Sequence, residues 1–164
     1  MIIGGSLGAQ SINQIIWKHI DKLTKQYNII HIVGKKNTNL SVKSSNYYQI
    51  EFAKDIENYF ALSDLVISRA GSNTIFELLA IKKPMILIPL PKSSGSRGDQ
   101  ELNAEYFQQN KYATIITQSD LNIDTLLTSI KHTLNAKNQY ISNMNNATNT
   151  IGTKSIIELI NKNC

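Results

Sequence analysis

Cysteine is nearly absent: the 164-residue chain has only Cys164, its last residue. No internal disulfide can form, thiol catalysis at that position is not expected, and a reducing cytoplasm is the compartment such usage predicts. Long apolar runs are missing too. No stretch approaches the ~20 consecutive apolar residues that a membrane helix needs, and Met1-Ile2-Ile3 passes directly into a glycine-rich turn, so neither a signal peptide nor a membrane span is expected. Aromatic residues make up 7% of the chain and do not interleave with basic ones as a base-stacking platform would. The net charge is +5, yet the lysines are scattered from Lys18 to Lys162, which predicts a solvated surface and no nucleic-acid partner. There is no Cys/His cluster for zinc and no Asp-x-Asp pair to hold a metal on a diphosphate, so no cofactor or metal is expected.

What the chain does have is 41% hydrophobic residues, enough for one buried core and too few residues for two full domains. Short apolar runs alternate with amphipathic stretches, the pattern of βαβ units feeding a mostly parallel sheet flanked by helices. Strands are predicted at 1–4, 28–33, 47–52, 65–68, 85–88 and 113–116. Ile12, Ile15, Ile16, Ile20 and Leu23 recur at helical spacing and predict one helix over 9–26. Further helices are predicted at 55–62, 73–81 and 99–109 and through most of the remainder, while the Asn- and Thr-rich stretch 143–153 is read as poorly ordered. His19, His31 and His132 fall within predicted elements and are read as structural.

Ligands of open parallel sheets bind at the carboxyl ends of the strands, where loops enter helices. Three such loops carry unusual residues. Gly4-Gly5-Ser6-Leu7-Gly8 precedes a helix, and glycines that let backbone N–H groups approach an anion suit a phosphate. A bare βα turn is the alternative. No acidic residue ends strand 28–33, which disfavours a dinucleotide fingerprint. In Ser68-Arg69-Ala70-Gly71-Ser72-Asn73-Thr74, followed by Glu77, the carboxylate is placed to accept ribose hydroxyls. Thr74 and Glu77 equally have the spacing of a capping box. Arg69, one of only two arginines with Arg97, can contact phosphate or tie its loop to the domain. In the third loop Asp99, Gln100 and Asn103 share one edge of a helix's first turn, where they suit sugar hydroxyls or serve only as a solvated, capped helix start.

Taken together, Gly4-Gly5-Ser6-Leu7-Gly8-Ala9, then Ser68-Arg69-Ala70-Gly71-Ser72 with Thr74 and Glu77, then Asp99-Gln100 with Asn103-Ala104, resemble the C-terminal half of the MurG family. These bacterial glycosyltransferases add N-acetylglucosamine from UDP-N-acetylglucosamine to the lipid-linked muramyl-pentapeptide precursor of peptidoglycan. The order and spacing match from residue 1 to about residue 135. The resemblance implies a GT-B architecture, with this chain as its Rossmann-like donor-binding domain and an N-terminal acceptor domain outside it. It implies that Gly5, Ser6 and Gly8 bind the diphosphate, that Gly71, Ser72, Asn73 and Thr74 line the nucleotide site beside Arg69, and that Glu77 takes the ribose. The backbone at Ala53 would meet uracil, and Gln100 and Asn103, with Asp99 beside them, would hold the hexose.

The general base is expected from the N-terminal domain, and the whole enzyme is expected on the cytoplasmic face of the membrane. Asp99 departs from the Gln of many members. The start at Met1-Ile2-Ile3 is read as an excised domain or one half of a split enzyme, and a non-catalytic UDP-sugar-binding module is the remaining alternative.

Overall fold

The computed structural model describes residues 1–5, 7–94 and 97–147. Six strands form one sheet: β1 (Ile2–Ile3), β2 (Ile29–Ile32), β3 (Tyr47–Ile50), β4 (Val66–Ser68), β5 (Met85–Leu87) and β6 (Thr114–Ile115). Every neighbouring pair is parallel, and the order across the sheet is β3-β2-β1-β4-β5-β6. This is the doubly wound arrangement, in which the chain direction across the sheet reverses between β1 and β4. The strands cover two to four residues each, shorter than their apolar runs, because the run ends bend away into loops.

Helices α1 (Gln10–Lys18), α2 (Ile20–Thr24), α3 (Ile56–Leu62), α4 (Ser72–Ala80), α5 (Asp99–Gln109), α6 (Ile123–Asn135) and α7 (Lys137–Asn145) cover both faces of the sheet. Alternation along the strands divides the core in two. Ile3, Val66, Met85 and Leu87 pack with Phe60, Ile75, Leu78, Phe107 and Met144 of α3, α4, α5 and α7. Ile2, Ile67, Ile86 and Ile88 pack on the other face with Ile12, Ile16, Leu23, Leu126 and Ile130 of α1, α2 and α6. Consecutive strand residues face opposite ways, and both sets are buried, as a parallel sheet covered on both sides requires.

The single helix predicted over 9–26 is two. His19 takes φ −120°, ψ 22°, and its N–H is shared between the carbonyls of Ile15 and Ile16, which interrupts the ladder. The apolar stripe runs through the break, since Ile20 and Leu23 are buried with Ile12 and Ile16. Residues 143–145, predicted as poorly ordered, close α7, and 148–153 lie outside the described residues. No helix among the described residues is long and apolar enough to cross a membrane.

His31 is buried in the middle of β2 as part of a neutral polar chain. Trp17 Nε1 donates to Tyr47 Oη (3.0 Å), and Tyr47 Oη meets His31 Nδ1 (2.9 Å). His31 Nε2 in turn meets Asn13 Oδ1 (3.0 Å), and Asn13 Nδ2 donates to Val33 O (2.9 Å). All these groups are satisfied if Tyr47 donates to Nδ1 and Nε2–H donates to Asn13, which assigns the neutral tautomer. Burial pushes the imidazole down from 6.5 to about 3.

Candidate active site: a cleft at the carboxyl ends of β1 and β4

The loops after β1 and β4 meet at the reversal point of the sheet. Gly5, Gly8 and Gly34 have φ of 81°, 78° and 88°, a region that side chains other than glycine's rarely enter. A Cβ on Gly8 would strike the Val33 carbonyl oxygen and come within 2.7 Å of Asn37 Nδ2, and one on Gly34 would strike the Gly8 backbone. The turn after β1 therefore rests directly on the end of β2. Asn37 fixes it there: Nδ2 donates to Leu7 O (2.9 Å) and Val33 O (3.2 Å), and Oδ1 accepts from Gln10 Nε2 (2.7 Å). Gly5 and Gly71, by contrast, have open space where a Cβ would sit.

An open hollow of about 510 Å3 lies over this point, with Gly4, Gly5, Gly8, Gln10, Ser11, Arg69, Gly71, Thr74, Gln100 and Gln118 in its walls. The helices α1 and α4 begin at it. Their first N–H groups, on Gln10, Ser11, Ser72, Asn73 and Thr74, have no acceptor among the described residues. Backbone donors without acceptors at two helix N-termini, beside glycines at the rim of one hollow, suit an anion. Among the described residues no three His, Cys, Asp or Glu side chains gather as metal ligands.

The structure separates the alternatives left open for each loop. Helix α4 starts at Ser72 with Gly71 as its N-cap and no side-chain capping bond, so Thr74 and Glu77 lie inside the helix and form no capping box. Glu77 is exposed and faces a second hollow of about 480 Å3 between α3 and α4, with Ile56, Phe60 and Ile81. Thr74 lines the first hollow and Glu77 the second, one helical turn apart.

Arg69 ties its loop to the domain while still lining the first hollow. Nη1 donates to the carbonyls of Ile88 (3.0 Å) and Pro89 (3.2 Å), and Nη2 donates to Ser11 Oγ (2.8 Å) and Gln118 Oε1 (2.7 Å). Helix α5 begins at Asp99 with Gly98 as its N-cap at φ 85° and no capping side chain, and Asp99 is exposed. Gln100 Oε1 accepts from Leu90 N–H (3.0 Å), and Asn103 Nδ2 donates to Ala70 O (3.0 Å). An N–H cannot accept and a carbonyl cannot donate, so each amide has one orientation. Among the described residues, the Gln100 NH2 and the Asn103 Oδ1 have no partner.

Thus Gly5, Gly8, Arg69, Gly71, Thr74 and Gln100 share one hollow, and Asn103 is bonded to its β4 loop. Ala53, in the loop after β3, is buried in the same core cluster as Ala70 and Ile75 of the β4–α4 segment. Ser72 and Asn73 are exposed in the first turn of α4. Ser6 lies outside the described residues. Sequence reasoning missed Ser11, Asn37 and Gln118. The last follows a predicted parallel strand by only a few residues, which was the available signal.

Comparison with known proteins identifies the family and the fold. The glycosyltransferase family 28 C-terminal domain matches residues 1–160. Two relatives are each 44% identical across 99% of the chain, one from Clostridium botulinum (strain 657 / Type Ba4) and one from Clostridium perfringens (strain SM101 / Type A). Both are named UDP-N-acetylglucosamine--N-acetylmuramyl-(pentapeptide) pyrophosphoryl-undecaprenol N-acetylglucosamine transferase. The chain spans 46% of the length of each. Among solved structures, MurG of Acinetobacter baumannii superposes with a TM-score of 0.81 at 24% identity, over 98% of this chain and 48% of that one. A glycosyltransferase of Streptomyces sp. SF2575, solved with thymidine diphosphate, gives a TM-score of 0.62 at 13% identity over 98% of this chain and 40% of that one. The fold is the Rossmann-like half of GT-B glycosyltransferases, and by sequence the chain belongs to the glycosyltransferase family 28 C-terminal domain.

Proposed function

We propose that this chain is the donor-binding, C-terminal domain of an inverting glycosyltransferase. The reaction moves N-acetylglucosamine from UDP-N-acetylglucosamine to the lipid-linked muramyl-pentapeptide precursor of peptidoglycan. The observation that carries the proposal is the single hollow shared by the loops after β1, β4 and β5, with Gly5, Gly8, Gly71, Thr74 and Gln100 around it. The two Clostridium relatives are named as transferases, which does not favour a non-catalytic sugar-binding module.

The diphosphate sits over the turn of residues 4–8 and the first turn of α4. Glu77 lies three residues beyond Thr74, roughly 4.5 Å further along the helix axis, and takes the ribose hydroxyls with its free carboxylate. Uracil lies against the Ala53 backbone, which bonds to no other described residue. Gln100 offers N–H groups and Asn103 a carbonyl oxygen, and the two together suit the mixed donors and acceptors of a hexose, with Asp99 at the edge. As the acceptor hydroxyl attacks the anomeric carbon, charge grows on the departing UDP and is met by the N–H groups of Gln10, Ser11, Ser72, Asn73 and Thr74. Preorganised donors of this kind contribute on the order of 3 kcal/mol each. The base that takes the acceptor's proton belongs to the N-terminal domain, which also holds the lipid-linked acceptor at the cytoplasmic face of the membrane. The isolated chain binds donor weakly and transfers almost nothing.

Titration of UDP, UDP-N-acetylglucosamine and UDP-glucose into the chain tests this. Glu77→Ala is expected to change stability by less than about 0.5 kcal/mol, having no cap to lose, while UDP affinity falls about tenfold. Asn103→Ala is expected to weaken UDP-N-acetylglucosamine more than UDP. Unchanged UDP binding in folded Glu77→Ala removes the ribose role, and failure of the unsubstituted chain to bind UDP at millimolar concentration overturns the proposal.

A further inference from the structure

The hollow has a wall that no motif announced. Gln118 lies in the segment between β6 and α6 and faces the glycine turn across the open space. Its Oε1 accepts from Arg69 Nη2 at 2.7 Å and from Ser11 Oγ at 3.3 Å, and Ser11 Oγ itself accepts from the same Nη2 at 2.8 Å. A guanidinium has no acceptor, so the oxygen of Gln118 must face it and the NH2 must point away. That NH2 has no partner among the described residues.

The charge behind it is also uncompensated. Arg69 is half-buried, and all four of its acceptors are neutral: two backbone carbonyls, a hydroxyl and an amide oxygen. The ion pairs among the described residues, Lys22–Asp124 and Lys137–Asp64, lie elsewhere. A cation bonded to an amide oxygen draws electron density through the amide and strengthens its N–H donors. The arrangement therefore delivers Arg69's charge to the hollow through the Gln118 amide, and the complement to a polarised NH2 beside open helix N-termini is an anionic oxygen.

We infer that Gln118 is a ligand-binding residue whose Nε2 donates to a phosphate oxygen of the bound nucleoside diphosphate, held in place by Arg69 and Ser11. This rests on the donor-binding role proposed above. The alternative is that Gln118 only braces Arg69.

Gln118→Glu separates the two. It keeps an acceptor for Arg69 and Ser11, gaining an ion pair, but turns an oxygen instead of an NH2 toward the ligand. UDP and uridine are titrated into the chain, Gln118→Glu and Gln118→Ala, with thermal melting of each. The expected result is a Gln118→Glu variant that melts no lower than the unsubstituted chain and binds UDP about tenfold or more weaker, while uridine binding stays within about twofold. Gln118→Ala, which lacks the donor without adding charge, falls between them for UDP. Unchanged UDP affinity in folded Gln118→Glu overturns the inference. So does a parallel loss of UDP and uridine in either folded variant. If the unsubstituted chain binds no UDP, the donor-binding role fails first and the inference fails with it.

Discussion

On the β1–β2 side of the cleft, backbone lies against backbone: Gly8 on Val33, and Gly34 on Gly8, with no room for a Cβ at either glycine. On the β4–β6 side, long polar side chains do the fixing. Arg69 reaches the loops after β5 and β6 and the first turn of α1, Gln100 holds Leu90, and Asn103 holds Ala70. The first wall is specified chiefly by what its glycines lack, with Asn37 strapping it, and the second by what its residues carry. Where backbone must come close to a ligand and to another loop at once, there is no space for side chains. Where the wall must distinguish one sugar or base from another, oriented side chains are needed.

Three experiments test this contrast, two substitutions in decreasing order of effect and then a titration. Gly8→Ala places a side chain where φ is 78° and strikes the Val33 carbonyl. It is expected to cost about 2–5 kcal/mol of stability, measured by urea denaturation, and a loss below about 1 kcal/mol would show that the backbone wall is not close-packed. Arg69→Lys keeps the charge but cannot reach four acceptors in a planar fork. A loss of about 1.5–3 kcal/mol is expected, and an intact melting temperature would mean that the side-chain wall does not depend on that fork.

The third concerns His31 beneath the backbone wall. Its pKa is about 3 in the folded chain against an ordinary 6.5, so between those values the unfolded state holds a proton that the native state does not. Stability from this group is complete above about pH 6.5 and is lost as pH falls toward 3, by roughly tenfold in the folding constant per pH unit. NMR should find the His31 imidazole still neutral at pH 5. A titration near 6.5 would show that the polar chain from Trp17 to Val33 is open to water.

Much of this was legible in the chain itself, for identifiable reasons. Helix α5 is predicted at 99–109 and found there, because Gly98 precedes it and its polar edge is continuous. Helix α4 begins at Ser72, one residue before the predicted 73 and three before the start that a Thr74 cap would set, because Gly71 and not a hydroxyl side chain caps it, and so Thr74 and Glu77 form no capping box. The three loops were readable because each keeps its residues within one short segment. The bonds that join them were not. Ser11 and Gln118 are 107 residues apart, and Arg69 and Gln118 are 49 apart. Neither pairing leaves a local pattern, and only the strand order brings the residues to one rim. The break at His19 was equally hidden, because the apolar stripe that predicts a helix continues across it.

The contact between Gly8 and Gly34 has a mechanical consequence. Two main chains pressed together without intervening side chains have no torsion to spend, so the turn after β1 and the end of β2 must travel as one body. The cleft has one jamb built of main chain, and any adjustment to guests of different size must come from the wall opposite, by exchange of the hydrogen bonds that hold Gln100 and Gln118.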